Sequence, residues 1–291
     1  MKILILGGKG MLGHKLVQQL KDKFDVFVTV RNSLTELEKF GFYELPNVFE
    51  KIDILDQESI RKIIEEIKPE VIINCVGIIK QLPVSKDVIN TLSINSILPH
   101  QLAQLSSNYG FRLINISTDC VFKGTKGNYT EQDEADAADL YGKSKNLGEV
   151  LQENCLTIRT SIIGRELETE HSLVDWFLSN RGKKVKGFVN AIYTGFPTII
   201  LTDIIANLIL NQPELQGLYH ISSEPINKYD LLHLINEAYD ANIEIELFED
   251  FKLDRSLNSD KFRNETGFKP LTWEQMIKIM ADDPTPYNIW K

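Results

Sequence analysis

A tyrosine and a lysine stand four residues apart in Tyr141-x-x-x-Lys145. The surrounding residues predict a helix, and on a helix this spacing puts both side chains on one face. A free tyrosine has a pKa of about 10, so its phenol needs a nearby cation to exchange protons near neutral pH. Lys145 can supply that cation. We interpret the pair as candidate acid–base residues, although the same spacing also arises by chance on helical surfaces.

A second group of polar residues, Ser117-Thr118-Asp119, ends an apolar run that reads as a strand. A hydroxyl at that edge of a sheet can donate to a carbonyl oxygen of a substrate. The alternative for Thr118 is a strand-end hydroxyl that caps a turn. The catalytic interpretation is favoured because this group, the tyrosine–lysine pair and a glycine-rich turn all fall at strand ends or helix starts around one crevice.

The glycine-rich turn, at residues 7–13, reads Gly-Gly-Lys-Gly-Met-Leu-Gly and follows an apolar strand. Such a turn between a strand and a helix is the context of a dinucleotide-binding fingerprint. Gly7, Gly10 and Gly13 permit a tight turn, backbone approach to a diphosphate and close helix packing, while the helix start at Met11 and Leu12 offers free N–H groups. The alternative is a glycine-rich loop in a protein that binds no nucleotide, which the position after the first strand disfavours.

The end of the second predicted strand carries Arg31, followed by Asn32 and Ser33. An acidic residue there would bind the ribose hydroxyls of NAD, whereas an arginine suits the additional phosphate of NADP. Arg31 therefore predicts NADP, with NAD as the alternative cofactor. Otherwise Arg31 is a surface residue at a strand end, and Ser33 is the cap of the next helix.

Alternation of short apolar runs with longer amphipathic runs predicts the elements that position these residues. Such alternation indicates an α/β fold, a Rossmann-like doubly wound parallel sheet. The expected strands are 3–6, 25–30, 71–76, 113–117 and 156–159, and the expected helices are 13–23, 57–67, 96–108 and 140–153.

Beyond residue 160 the pattern is less regular, and we expect a smaller, discontinuous C-terminal substrate lobe over the sheet edge. The predicted domains are 1–160, an NADP-binding Rossmann domain, and 161–291, mainly a substrate-binding lobe with some segments returning to the first domain. The expected elements here are helices at 171–180, 202–211 and 228–239 and strands at 185–189, 218–221 and 243–247.

The composition excludes several classes of partner. A formal charge of -9, with no basic block, argues against a nucleic-acid polymer and an anionic membrane surface. Three widely spaced cysteines indicate reduced thiols, and the five histidines form no metal-ligand pattern. The apolar run at the start of the chain is too short for a signal peptide or membrane span, so we expect a cytoplasmic protein. From the histidine and cysteine pattern we also expect no bound metal.

The chain resembles the extended short-chain dehydrogenase/reductase superfamily over essentially its whole length. Residues 116–124 and 140–149, which read Ile-Ser-Thr-Asp-Cys-Val-Phe-Lys-Gly and Leu-Tyr-Gly-Lys-Ser-Lys-Asn-Leu-Gly-Glu, resemble the dTDP-4-dehydrorhamnose reductase branch. The resemblance implies Thr118, Tyr141 and Lys145 as the catalytic triad, and Tyr141 and Lys145 also as cofactor contacts.

The resemblance also implies further cofactor contacts. Asn95 would support the lysine, the pair Asp53 and Ile54 would lie by the adenine, and Cys75, Val76 and Gly77 would lie by the adenosine ribose. The expected substrate contacts are Lys80, Gln81, Asp119, Trp176, Phe188, Asn190, Tyr193 and Arg255, for each of which a packing role is an equal alternative.

The expected activity is NADPH-dependent reduction of a 4-keto-6-deoxy sugar nucleotide, either dTDP-4-dehydrorhamnose-like or a UDP-linked N-acetylhexosamine, for surface-polysaccharide precursors. The alternatives are an epimerase or dehydratase on the same fold and a non-catalytic nucleotide-sensing subunit. The sequence leaves open whether the protein forms a homodimer.

Two positions depart from the branch. Cys120 replaces its usual tyrosine, and the segment that begins Asp254-Arg255-Ser256 lacks the branch's proline. In the related dehydratases the position of Cys120 resembles a glutamate that acts as a base, a role that a cysteine does not readily take. The departures therefore argue against dehydration and leave the sugar substrate open.

Overall fold

A computed structural model describes residues 1–44, 46–80 and 83–291. The strands, numbered along the chain, are β1 Lys2–Leu6, β2 Asp25–Thr29, β3 Val48–Phe49, β4 Val71–Asn74, β5 Arg112–Thr118, β6 Cys155–Thr160, β7 Ile162–Ile163, β8 Lys184–Phe188, β9 Ala191–Tyr193, β10 Phe196–Pro197, β11 Gly217–His220, β12 Ile226–Asn227, β13 Glu244–Phe248 and β14 Leu253–Asp254.

The helices are numbered in the same way. They are α1 Met11–Leu20, α2 Leu34–Leu37, α3 Gln57–Ile67, α4 Val88–Leu92, α5 Leu98–Tyr109, α6 Leu140–Leu147, α7 Leu173–Leu178, α8 Thr198–Asn211, α9 Lys228–Ala238, α10 Asp260–Thr266 and α11 Trp273–Ala281. A π-helical turn, Ser93–Ile97, joins α4 to α5.

Seven parallel strands form the main sheet, in the order β11-β6-β5-β4-β1-β2-β3. The chain winds outward from β1 in one direction through β2 and β3 and in the other through β4, β5 and β6. The doubly wound fold class is thereby confirmed. In such sheets the ligand crevice lies beyond the carboxyl ends of the strands, at the point where the winding direction reverses. In this sheet that point lies between β1 and β4.

Burial explains why β1 is a continuous apolar run. Ile3, Leu4, Ile5 and Leu6 are all fully buried. Ile3 and Ile5 belong to the apolar core on one face of the sheet, and Leu4 and Leu6 belong to the core on the other. Both faces are covered by helices, so alternation with polar residues is absent from this strand.

The predicted helix at 57–67 is found as α3, with the Asp56 carboxylate accepting from the N–H groups of Glu58 and Ser59. Most other predicted elements in the first half lie within a few residues of the observed ones. One exception is the helix expected at 96–108, because helical structure already begins at α4, where Asp87 caps the first turn.

The helix expected at 140–153 ends at Leu147. The next residue, Gly148, packs against the backbone of the π-helical turn, and a Cβ there would lie 1.9 Å from the carbonyl oxygen of Asn95. Glu149 then leaves the helix and receives hydrogen bonds from Ser117 and Arg159, at 2.7 Å each. A buried carboxylate needs such partners, so tertiary contacts overrode the helical pattern.

Beyond residue 160, most strands pair in small sheets. β8 pairs with β13, β9 lies between β12 and β14, and β7 pairs with β10. The strand β11 is different, because it extends the main sheet beside β6. The helix α8 likewise packs against α1 of the first half.

Candidate functional site

The glycine-rich turn connects β1 to α1 with a backbone that only small residues permit. Gly7 has a φ of +84°, in the left-handed region that favours glycine. A Cβ on Gly13 would lie 2.2 Å from the carbonyl oxygen of Gly7, so α1 packs directly on the turn. A Cβ on Gly10 would meet only that same oxygen, at 3.3 Å. The surroundings of Gly10 are therefore open.

The start of α1 offers backbone donors beside this open space. The first backbone hydrogen bond of the helix runs from the N–H of His14 to the carbonyl oxygen of Gly10, at 3.0 Å. The N–H groups of Met11, Leu12 and Gly13 precede it and have no acceptor one turn earlier in the helix. Such groups and the positive end of the helix dipole suit a diphosphate.

Arg31 lies just beyond β2, and its side chain is exposed. No salt bridge involves Arg31 within the described ranges 1–44, 46–80 and 83–291. Ser33 does not cap α2 with its side chain. Instead, its hydroxyl donates to Glu36 at 3.0 Å, and Asn32 donates to the same carboxylate at 2.6 Å. Sequence reasoning missed Glu36, which places a negative charge near the predicted phosphate position.

The expected adenosine residues follow β3 and β4. A Cβ on Gly7 would lie 3.0 Å from Val76 Cγ2, so the loop after β4 contacts the turn. In that loop, burial raises the pKa of the Cys75 thiol to about 12, which keeps it protonated. Ile54 is buried, and the exposed Asp53 accepts from the N–H of Leu55 at 3.0 Å.

Three predicted catalytic side chains converge at the carboxyl end of β5. Thr118 is the last residue of β5, and its hydroxyl accepts from the N–H of Cys120 at 3.1 Å. Tyr141 and Lys145 both lie on α6. Lys145 is buried, and its ammonium group donates to the carbonyl oxygen of Ile116 at 2.7 Å. The lysine is thus fixed against the same strand that carries Thr118.

Burial sets the protonation of this group. It lowers the pKa of Lys145 to about 8, while the charge of Glu149 acts in the opposite direction. It raises the pKa of Tyr141 above its ordinary value, as does the neighbouring Cys120, whereas the Thr118 side chain lowers it. From the sequence, we expected Lys145 to lower the tyrosine pKa. Here the Thr118 side chain has that effect, and Tyr141 remains a protonated phenol near neutral pH.

Asn95 sits in the π-helical turn and is fully buried. Its side-chain oxygen accepts from the N–H of Ile78 at 2.9 Å, and its amide nitrogen donates to the Ile78 carbonyl oxygen and to the Ser144 hydroxyl. Single π-helical turns of this kind often occur at functional sites. Asn95 therefore connects the loop after β4 to α6, next to Lys145.

Several predicted substrate residues gather around Tyr141. Lys80 forms a 2.7 Å salt bridge with Asp139, and its ammonium lies 5.5 Å from the centre of the Tyr141 ring. Arg255 donates to the Phe122 carbonyl oxygen at 2.7 Å and lies 3.5 Å from the Cys120 sulfur.

Two further predicted substrate residues face the same region. Asp119 is 9% exposed. The Tyr193 hydroxyl is buried without a hydrogen-bond partner among the described residues. Its pKa is raised by burial and then by the charges of Asp119 and Cys120.

The structure does not link the other candidates to this cluster. Trp176, on α7, is 40% exposed. Asn190 donates to the carbonyl oxygen of Glu249. Phe188 packs against Phe248 and Phe251, which supports its packing alternative. Gln81 lies outside the described residues.

One cation near the cluster was missed. Lys228 is the first residue of α9, directly after β12, which pairs with β9. Burial lowers the pKa of Lys228, while Asp119 and Cys120 act in the opposite direction. No sequence motif marks this lysine, because only the pairing of β12 with β9 brings it to the site.

A parallel sheet with a glycine-rich turn after β1, a threonine at the end of β5 and Tyr-x-x-x-Lys on α6 defines the extended short-chain dehydrogenase/reductase class. Within this class, the model of the RmlD substrate binding domain family matches residues 1–285. The chain belongs to that family. The resemblance inferred from the sequence is thereby confirmed.

Three further proteins are similar to this chain over most of its length. The chain is 25% identical to dTDP-4-dehydrorhamnose reductase of Aggregatibacter actinomycetemcomitans, covering 95% of this chain and 97% of that protein. It is 27% identical to the spore coat polysaccharide biosynthesis protein SpsK of Bacillus subtilis, covering 95% of each. It is also 26% identical to methionine adenosyltransferase 2 subunit beta of Xenopus laevis, covering 82% of this chain and 72% of that protein.

Solved structures share the fold. A hypothetical dTDP-4-dehydrorhamnose reductase from Sulfolobus tokodaii is 26% identical, with a TM-score of 0.77 and coverage of 94% of this chain and 98% of the other. A dTDP-4-dehydrorhamnose reductase from Bacillus anthracis, solved in complex with NADP, is 21% identical, with a TM-score of 0.79 and coverage of 96% and 98%.

Two kinds of feature are absent from the described residues. None of their helices is both long enough and apolar enough to span a membrane. Nor do these residues contain a group of three or more His, Cys, Asp or Glu side chains that could hold a metal ion.

Proposed function

We propose that this protein is an NADPH-dependent reductase of a 4-keto-6-deoxy sugar nucleotide. The substrate is dTDP-4-dehydrorhamnose-like or a UDP-linked 4-keto-6-deoxy-N-acetylhexosamine, and the product is the corresponding deoxysugar nucleotide for surface polysaccharides. The observation that carries the proposal is the convergence of Thr118, Tyr141 and Lys145 on one strand end beside the glycine-rich turn.

The cofactor site in this proposal consists of the residues predicted from the sequence. The open space at Gly10 and the free N–H groups of α1 fit a diphosphate. Arg31 supplies a positive charge for the phosphate of NADP. Residues 1–160 would bind the cofactor, and residues 161–291 would mainly bind the sugar nucleotide.

The chemistry follows from the three side chains. When bound, NADPH supplies a hydride to the carbon of the ketone. Thr118 donates a hydrogen bond to the ketone oxygen and so stabilises the charge that develops on it. Tyr141 delivers its phenolic proton to that oxygen, which its raised pKa permits because the phenol is protonated beforehand. Lys145 binds the nicotinamide ribose and places a positive charge near the nascent alkoxide.

The test is a panel of both substrate types incubated with NADPH, with the products identified by mass and NMR. We expect absorbance at the nicotinamide band to fall by one NADPH for each sugar reduced, and Tyr141→Phe to slow this loss by roughly two to four orders of magnitude. An epimerase or dehydratase would convert the sugar while regenerating its cofactor. Conversion without net loss of NADPH would therefore contradict the reductase assignment.

A second candidate is a non-catalytic nucleotide-binding subunit. The similarity to methionine adenosyltransferase 2 subunit beta favours it. The retention of Tyr141, Lys145 and Thr118 favours the reductase, since binding alone requires no proton donor. Tight NADPH binding without turnover of any keto-sugar on the panel would favour the subunit.

A further inference from the structure

Two backbone carbonyls of the glycine-rich turn are held by side chains. The Tyr43 hydroxyl donates to the carbonyl oxygen of Gly8 at 2.7 Å. The Nδ1 atom of His14 lies 2.9 Å from the carbonyl oxygen of Gly10. Neither Tyr43 nor His14 belongs to the turn itself. The Gly10 oxygen also accepts from the backbone N–H of His14, so these side chains add to the hydrogen bonding of the helix start and hold the two peptide groups partly from outside the glycine motif.

The hydrogen bonds of His14 have a defined direction. His14 is fully buried, and burial lowers its pKa to about 3, so the ring is neutral near pH 7. A carbonyl oxygen only accepts, so Nδ1 must carry the proton. Nε2 must then accept, and the Tyr287 hydroxyl lies 2.9 Å from it. A chain of donors runs from Tyr287 through His14 to Gly10.

Tyr287 is anchored on α1 by the segment 283–290. Lys15 forms a 2.5 Å salt bridge with Asp283, and the two side chains are only 3% and 9% exposed. The same ammonium donates to the Thr285 hydroxyl at 3.2 Å. Breaking a buried pair of this kind is costly, so the segment holds a fixed position against the helix.

The two donors to the turn belong to one group of rings, which we term the aromatic cluster. It consists of His14, Phe40, Phe42, Tyr43, Tyr287 and Trp290. The Phe42 and Tyr43 ring centres are 4.4 Å apart, and those of Phe40 and Trp290 are 5.0 Å apart in an edge-to-face arrangement. Such contacts stabilise the relative positions of the rings.

The geometry of the peptide bond gives this arrangement a consequence for ligand binding. In a trans peptide the C=O and N–H groups point in opposite directions. Fixing the carbonyl of Gly8 therefore fixes the N–H of Lys9, and fixing the carbonyl of Gly10 fixes the N–H of Met11. Both N–H groups belong to the strand-to-helix turn where a diphosphate is expected.

We propose that the aromatic cluster positions the glycine-rich turn for the dinucleotide. Tyr43 and the Tyr287–His14 pair hold two carbonyls toward the protein interior, so that the opposite N–H groups are presented to the diphosphate. Residues 283–290, which carry no nucleotide motif, thereby contribute to cofactor affinity. The inference rests on the proposed NADPH cofactor. Tyr43, His14 and Tyr287 are positioning residues, since they act through the backbone.

Two tyrosine variants test the inference with little change in side-chain volume. Tyr43→Phe and Tyr287→Phe each remove one hydroxyl, and we expect the dissociation constant for NADPH, measured by calorimetry, to rise about three- to tenfold in each. Tyr219→Phe is the matched control, because Tyr219 is similarly buried and donates its hydroxyl to Glu265, outside the turn. Its NADPH affinity should stay within about twofold of the unaltered protein.

A spectroscopic measurement gives a second readout. The nitrogen chemical shifts of the His14 ring should report a neutral ring protonated on Nδ1 in the unaltered protein. In Tyr287→Phe, Nε2 loses its donor while Nδ1 keeps its acceptor, so we expect the Nε2 chemical shift to change and the Nδ1 proton to stay in place. This change is independent of turnover, and it stays informative where a variant also lowers the melting temperature.

The outcomes separate the inference from the proposed function. Unaltered NADPH affinity in both tyrosine variants, with a lower melting temperature, would show that the cluster only stabilises the fold and would overturn the inference. The proposed function would stand in that case. If the unaltered protein itself failed to bind NADPH, the proposed cofactor would be wrong, and the inference would fall with it.

Discussion

The Lys145 ammonium donates to the carbonyl oxygen of Ile116 at 2.7 Å, one residue before the polar end of β5. This contact keeps the lysine next to the site, and burial lowers its pKa to about 8. A lysine that titrates so near neutral pH gives the reaction a measurable pH dependence.

We predict that kcat/KM for the reduction falls as the pH rises through about 8. Below that pH Lys145 is protonated and can bind the ribose and stabilise the alkoxide, whereas above it the charge is lost. The pH profile of kcat/KM reports the free enzyme and is the measurement of choice. Lys145→Arg is the control, since arginine stays protonated and the decline near pH 8 should disappear even if the rate is lower. An unchanged profile in that variant would assign the decline to another group.

The same pKa shift affects stability in a defined direction. The folded state holds Lys145 with a lowered pKa, so the unfolded chain binds more protons between about pH 8 and the ordinary lysine pKa of 10.5. The contribution of this group to the free energy of unfolding should therefore increase with pH across that window. Comparing urea midpoints of the unaltered protein and Lys145→Met over this range tests the sign. A free energy of unfolding that falls with rising pH in the unaltered protein, relative to Lys145→Met, would contradict this sign.

Removing the phenol should separate chemistry from binding. Tyr141→Phe should keep the fold and NADPH affinity while turnover falls by roughly two to four orders of magnitude, the scale of a lost general acid. Lys145→Met should lose both turnover and cofactor affinity. The two losses in turnover should not add in the double variant, because both residues act on one proton transfer. Unaltered turnover of a confirmed substrate by Tyr141→Phe would exclude the proposed site.

Two glycines of the turn should respond differently to alanine. A Cβ at position 13 would lie 2.2 Å from a backbone oxygen, whereas at position 10 the nearest atom is 3.3 Å away. Gly13→Ala should therefore lower the free energy of unfolding by roughly 1–3 kcal/mol. Gly10→Ala should lower it by less than Gly13→Ala does and should weaken NADPH binding, since the methyl group points into the open space. Equal effects of the two variants on melting temperature and NADPH affinity would argue that the turn is only structural.

Cofactor preference should depend on Arg31. We predict that the unaltered protein binds NADPH more tightly than NADH and that Arg31→Asp narrows or reverses the preference, because attraction to the additional phosphate becomes repulsion. Lys21→Asp makes the same change in charge at the far end of α1 and should leave the preference intact. Equal affinities for the two cofactors in the unaltered protein would show that Arg31 does not select between them.

The sequence by itself determined five strands of the main sheet, which are β1, β2, β4, β5 and β6, and the identity of the catalytic candidates. Both depend on local signals. A continuous apolar run such as Ile3–Leu6 indicates a strand buried on both faces, and glycine spacing or Tyr-x-x-x-Lys is visible within a few residues. Because carboxyl ends of parallel strands share one edge, locating each motif after its strand was enough to predict that Thr118 and Tyr141 meet.

Tertiary structure determined one helix end and the positions of several side chains, which local sequence patterns could not predict. The end of α6 at Leu147 depends on close packing of Gly148 against Asn95 and on the partners of Glu149. Lys228 reaches the site only because β12 pairs with β9. Tyr287 reaches the glycine-rich turn only through His14, 273 positions earlier in the chain. Such contacts leave no periodic trace in the sequence, because each joins distant residues whose meeting depends on packing of the whole chain.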